Sequence, residues 1–85
     1  MQITLLYFAR LRESFETERE VLTLPSGVHT IADLISHLRA RGGTWAAELS
    51  TDRVFRVAID QDLAEPSAPL HEGAEVAIFP PVTGG

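Results

Sequence analysis

Residues 30–43 carry the pattern that most limits what this chain can become. Thr30 is a good helix N-cap, and Asp33 completes a capping box with Asp in place of the usual Glu. Ile31, Leu34, Ile35 and Leu38 then follow at i, i+3, i+4 and i+7, which makes one apolar stripe along a helix. Arg39 and Arg41 suit the negative end of the helix dipole, and Gly42-Gly43 ends the helix. A single striped helix can bury its apolar side only against another layer, and the segments on both sides of it read as strands. Gln2 to Phe8 alternates, with Ile3, Leu5 and Tyr7 on one face and Leu6 and Phe8 on the other. Arg19 to Leu24 reads as a second strand with Val21 and Leu24 turned inward. Val54 to Ile59 is a third, alternating at Phe55, Val57 and Ile59, and Glu75 to Phe79 is the last.

Shorter elements fill the gaps. Ala9 to Phe15 forms a helical turn, Thr44 to Leu49 a short helix, and Asp60-Gln61-Asp62 and His71-Glu72-Gly73 form turns. The order β-β-α-β-β is α+β: a mixed sheet packed on one main helix, as in the β-grasp or ubiquitin-like fold. Ferredoxin-like halves share parts of the same pattern. With 85 residues, one domain over residues 1–80 is expected, with a flexible C-terminal tail over 81–85. A domain of this size needs most of its apolar side chains for its own core, so an interaction surface is expected in place of a deep substrate pocket.

Composition narrows the chemistry. There is no cysteine, hence no disulfide, thiolate nucleophile or zinc knuckle. The formal net charge is −5, and all seven basic residues are arginines scattered among carboxylates, so no nucleic-acid partner is expected. No run approaches a membrane span and the N-terminus lacks a leader pattern, so the expectation is a cytoplasmic protein with no membrane partner. His29, His37 and His71 stand far apart and read as surface or capping histidines; no metal site is expected. Asp60, Asp62 and Glu65 lack the glycine and terminal glutamate of a calcium loop. Trp45 reads as a lid on the core.

Two features point to function. The first is a surplus of apolar side chains. With Ile3, Leu5, Tyr7, Val76 and Ile78 in the core, Leu6, Phe8 and Phe79 face outward together, which marks either a partner surface or a second small core under the Ala9–Phe15 turn. The second is Pro80-Pro81-Val82-Thr83-Gly84-Gly85 after the last strand. Five residues beyond Pro80 span roughly 17 Å when extended. The prolines stiffen the base of this arm. Gly84 and Gly85 have no side chains to obstruct a narrow channel, and the terminal carboxylate is unhindered. Once activated, for example as an acyl-adenylate, it can accept sulfur or an amine.

The ending Phe79-Pro80-Pro81-Val82-Thr83-Gly84-Gly85 resembles the signature of the molybdopterin synthase small subunit family, ubiquitin-like sulfur carriers. Tyr7-Phe8-Ala9 with Leu11-Arg12-Glu13, Leu70-x-x-Gly73-x-Glu75-Val76, and Val57-Ala58-Ile59 before a polar turn are similar to that family too. Asp60 departs from it, standing where many relatives are expected to carry asparagine.

The resemblance implies a cycle. A ubiquitin-activating type of enzyme adenylates Gly85 with ATP, a sulfur donor converts the transient acyl-AMP to a thiocarboxylate, and no cofactor is held stably. The tail from Pro80 to Gly84 enters the large synthase subunit, which holds the catalytic side chains, in a heterotetramer of two small and two large subunits. Sulfur then passes to a cyclic pyranopterin precursor to build the molybdopterin dithiolene. The chain is then no enzyme alone. The alternatives are a protein modifier joined to lysines through Gly85, a carrier for thiazole or cysteine synthesis, and a plain interaction domain.

Overall fold

A computed structural model describes residues 1–81. The tail expected over residues 81–85 therefore lies, from Val82 onward, outside the described residues. The elements run β1 (Gln2–Tyr7), α1 (Ala9–Phe15), β2 (Arg19–Thr23), α2 (Ile31–Arg39), α3 (Gly43–Glu48), β3 (Arg56–Ile59), β4 (Asp62–Leu63) and β5 (Glu75–Phe79). The five strands form one sheet in the order β2-β1-β5-β3-β4. β1 and β5 are parallel, and every other neighbouring pair is antiparallel. This is the mixed α+β sheet read from the sequence.

α2 starts as its sequence dictates. The Thr30 hydroxyl accepts from the Asp33 amide at 3.2 Å, and the Asp33 carboxylate accepts from the Thr30 amide at 3.2 Å. The reciprocal pair satisfies amide donors that a helix start otherwise leaves to water. Its stripe of Ile31, Leu34, Ile35 and Leu38 is buried. It packs into one cluster with Ile3, Leu5, Tyr7, Val57, Val76 and Ile78. Full burial of such side chains stabilises by about 1.5–3 kcal/mol each.

Four details differ from the sequence reading. Val21 is exposed; Leu22 packs against the core and Leu24 is buried. The register explains it. Ile3 faces inward and pairs with Leu22, so Val21, paired with Thr4, must face outward. Val21 and Leu24, three residues apart, cannot share a strand face. β3 begins at Arg56, two residues later than expected. β4 is only two residues long, too short to leave a periodic trace. It follows a tight hairpin whose central residues, Asp60 (φ 49°) and Gln61 (φ 75°), are both left-handed. Gly42 (φ 77°) is the N-cap of α3 and not merely the end of α2, whose own C-cap is Ala40.

Candidate functional site

The parallel pairing of the first and last strands places the site. Leu5 is in register with Val76 and Tyr7 with Ile78, and the Phe8 amide donates to the Ile78 carbonyl at 3.3 Å. β1 and β5 thus end together, and Phe8, Phe79 and the departing Pro80-Pro81 share one end of the sheet. The alternation that buries Tyr7 and Ile78 turns Leu6, Phe8 and Phe79 to the face opposite α2. Phe8 is 48% exposed; Leu6 and Phe79 are half-buried. The alternative of a second core under α1 does not hold, because Leu11 and Phe15 of α1 enter the main cluster, which contains none of these three.

The outer face reaches further than the sequence reading placed it. Leu6 pairs with Ala77, Ala77 with Ala58, and Ala58 with Leu63, which is 75% exposed at the sheet edge. One apolar row therefore crosses four strands, with Phe8 and Phe79 on its tail side. The alternation of the last strand puts Ala77 on the same face as Phe79, but Ala58 and Leu63 were missed because only the register, which no local pattern specifies, sets them in line with Leu6.

A second group supports this end from beneath. The Tyr7 hydroxyl donates to Glu20 at 2.8 Å, and Arg41 grips both Glu20 oxygens at 3.1 and 2.7 Å. The Arg41 guanidinium also lies 4.4 Å from the centroid of the Trp45 ring. Trp45 stacks on Phe15 at 3.8 Å, and Tyr7 meets both rings edge-on. Burial raises the Tyr7 phenol far above its ordinary range, and the Glu20 hydrogen bond adds to this, so it stays a neutral donor. The Arg41 hydrogen bonds hold Glu20 below the usual carboxylate range, and Glu20 in return raises Arg41. Glu48 forms a further clasp: it accepts from Ser14 at 2.7 Å and pairs with Arg10 at 3.3 Å and Arg53 at 3.4 Å. It ties α1, α3 and the approach to β3 together. Trp45 is the expected lid, with the added task of seating a cation. The signal for this cluster was a carboxylate at an inward position of β2, since Glu20 pairs with Leu5.

The histidines do not converge. His29 and His37 lie near and within α2; His71 pairs with Asp60 at 2.6 Å at the far end of the sheet from the tail. Among the described residues, no three His, Cys, Asp or Glu side chains are grouped to hold a metal. An open groove of about 720 Å³ between α2 and the β3–β4 edge is lined by Ile35, Phe55, Leu63 and Pro66 among others. Its Arg39 is engaged with the Leu49 carbonyl at 2.9 Å. What the described part offers is an apolar face beside the point where the chain leaves the sheet.

Residues 5–85 match the model of the ThiS family. The chain belongs to the ThiS family. Relatives agree over its full length. It is 36% identical over 83 residues to the molybdopterin synthase sulfur carrier subunit of Escherichia coli (strain K12), spanning 98% of this chain and 99% of that protein. Among solved structures, a putative molybdopterin converting factor subunit 1 from Pyrococcus furiosus superposes with a TM-score of 0.80 at 26% identity, covering 96% of this chain and 99% of that one. A complex of subunits 1 and 2 of the molybdopterin-converting factor from Helicobacter pylori holds a chain of the same fold (TM-score 0.69, 20% identity, 100% of both chains). As a ThiS family member the chain has the ubiquitin-like sheet and helix described above. Among the described residues no helix is long and apolar enough to cross a membrane.

Proposed function

We propose that this chain is the sulfur carrier subunit of a molybdopterin synthase and that Gly85 carries the sulfur. The observation that carries the reading is the shared end of β1 and β5. It sets the exposed apolar face beside the exit of an arm ending in Gly84-Gly85, so one protein can hold the domain and receive the arm at once. Leu6, Phe8 and Phe79 are then the anchors for that partner, with Ala77 and the exposed Leu63 continuing the row on either side of Ala58, which is itself buried. Pro80, Pro81, Val82, Thr83 and Gly84 enter the partner's channel. The relatives' names support the pathway, and the Helicobacter pylori complex supports a larger second subunit as the partner.

The chemistry balances without any side chain of this subunit. The Gly85 carboxylate attacks the α-phosphorus of ATP on an activating enzyme, and pyrophosphate leaves. A donor of sulfide-level sulfur displaces AMP from the acyl carbon and leaves a thiocarboxylate. In the large subunit that sulfur bonds to a carbon of the pyranopterin precursor and displaces an oxygen substituent there, and water then cleaves the resulting thioester, leaving sulfur on the pterin and the carboxylate on Gly85. Because sulfur rides on the terminal carbonyl, a chain without cysteine can carry it. Because the chain has no lysine, no side-chain amine of a second copy competes for the activated carbonyl.

The test is to remove Gly85. The carboxylate then sits on Gly84, short by roughly 3.3–3.6 Å of reach. Misplacement of about 1 Å can cost about 10²-fold in rate, so sulfur delivery should be almost lost. Mass spectrometry should show the thiocarboxylate on the full chain after incubation with ATP, activating enzyme and a sulfur source, and not on the shortened one. Normal sulfur delivery by the shortened chain would end the proposal.

A further inference from the structure

The outer face is polarised in charge as well as apolar. Arg19 is in register with Leu6 on β2, and Arg56 with Phe79 on β3. Both are exposed, share the outer face with those partners, and form no ion pair with a described residue. Carboxylates occupy the other end of the same face. Glu75 is in register with Thr4, and Glu72 accepts from the Gln2 amide at 3.0 Å. Asp60 accepts from the Glu75 amide at 3.0 Å. Glu18 also lies at the arginine end, in the exposed bend before β2, where its carbonyl accepts from the Tyr7 amide at 3.0 Å. A chain of net charge −5 thus shows two cations flanking the tail side of its apolar row.

These two positions are separated by the width of the sheet between them and by two residues along the strands, because Leu6 is in register with Ala77 and Arg56 with Phe79. β2 and β3 are three strand spacings apart across β1 and β5. At 4.7–4.9 Å per spacing and about 3.3 Å per residue along the strands this is about 16 Å between their Cα positions. We propose that Arg19 and Arg56 are steering cations for the subunit that receives the tail. That subunit then carries two carboxylate sites about 16 Å apart, one on each side of an apolar strip at the mouth of its channel. The acidic far end of the face disfavours the reversed pose, in which Glu72 and Glu75 would meet those carboxylates. The charge pattern sets the direction of docking, and therefore which way the arm points on arrival. This inference rests on the sulfur-carrier reading for the identity of the partner and adds how that partner is recognised.

Charges at the rim of an interface act on the association rate and its salt dependence more than on dissociation. The experiment is stopped-flow association of the full chain with the cognate large subunit at several ionic strengths. The association rate of the wild-type chain should fall as salt rises. The Arg19→Gln/Arg56→Gln double variant should associate about tenfold more slowly at low salt, with a flattened salt dependence and a dissociation rate within about twofold of wild type. Glu75→Gln, at the acidic end, should not slow association. A wild-type association rate indifferent to salt overturns the inference. So does a double variant that changes dissociation alone. Failure of the wild-type chain to bind the large subunit at all would instead strike the sulfur-carrier reading.

Discussion

Leu5 and Leu6 are the same residue on the same strand, one position apart, and they meet opposite fates. Leu5 is fully buried under α2, whereas Leu6 lies half-exposed in a row that no helix among the described residues covers. The same contrast holds between Tyr7 and Phe8 and between Ile78 and Phe79. An antiparallel or mixed sheet covered on one side needs apolar residues on that side only. The inner face accounts for the stability of the domain. The outer face is made of similar material that folding does not consume, and it gathers where the chain exits. The strands therefore carry two instructions in alternate positions, one read by the domain itself and one available to another protein.

Substitutions can break this contrast. Leu5→Ala should have the largest effect, a loss of about 2–5 kcal/mol because it opens a cavity in the main cluster. Against a total of roughly 5–15 kcal/mol for a small domain, denaturant unfolding should show the variant close to collapse. Phe79→Asp should leave the unfolding midpoint nearly in place while weakening association with the large subunit. A loss of about 2 kcal/mol, roughly 30-fold in Kd by calorimetry, is expected for an aromatic anchor. Unfolding of this variant would put Phe79 in the core. Leu6→Ala sharpens the comparison with its neighbour: it should cost less than about 1 kcal/mol of stability.

The smallest effect concerns the far end of the sheet. Asp60 is held below its ordinary range, first by the Glu75 amide and then by His71; Asp60 in turn raises His71. A raised His71 stabilises the fold fully below its unfolded pKa, and that contribution is lost as pH rises through the folded one. A depressed Asp60 contributes above its unfolded pKa and is lost as pH falls through the folded one. The pair is therefore at its strongest in mildly acid solution. The Tm difference between wild type and His71→Ala should be small at about pH 5.5 and smaller still at about pH 8.5. A difference that grows with pH would contradict the charged pairing.

The elements with local chemistry were legible in the sequence. The Thr30–Asp33 box, the α2 stripe and the alternation of β1 and β5 are written in neighbouring residues, and the structure follows them. What pairing alone decides was not legible. Val21 faces outward because Ile3 selects Leu22, and β4 exists because a two-residue turn folds Leu63 back beside Ala58. The outer patch was visible as Leu6, Phe8 and Phe79, but its continuation across Ala77 and Ala58 depends on residues far apart in sequence. The Tyr7–Glu20–Arg41–Trp45 cluster likewise joins four separate elements or turns. Asp60 acquires its role only in three dimensions: its two oxygens serve the Glu75 amide and His71 at once.

The parallel seam between β1 and β5 also governs when the molecule becomes usable. β1 is made first, yet one of its edges stays open until the last strand is synthesised, and contacts this distant along the chain close slowly. The docking row has the same dependence, since Ala77 and Phe79 lie on β5 and Leu6 on β1. A ribosome or protease that leaves the chain short of β5 yields a protein with no seam, no complete row and no arm. Assembly of the domain and readiness to meet a partner are thus a single event in time, and an incomplete copy has no surface with which to occupy a partner's channel.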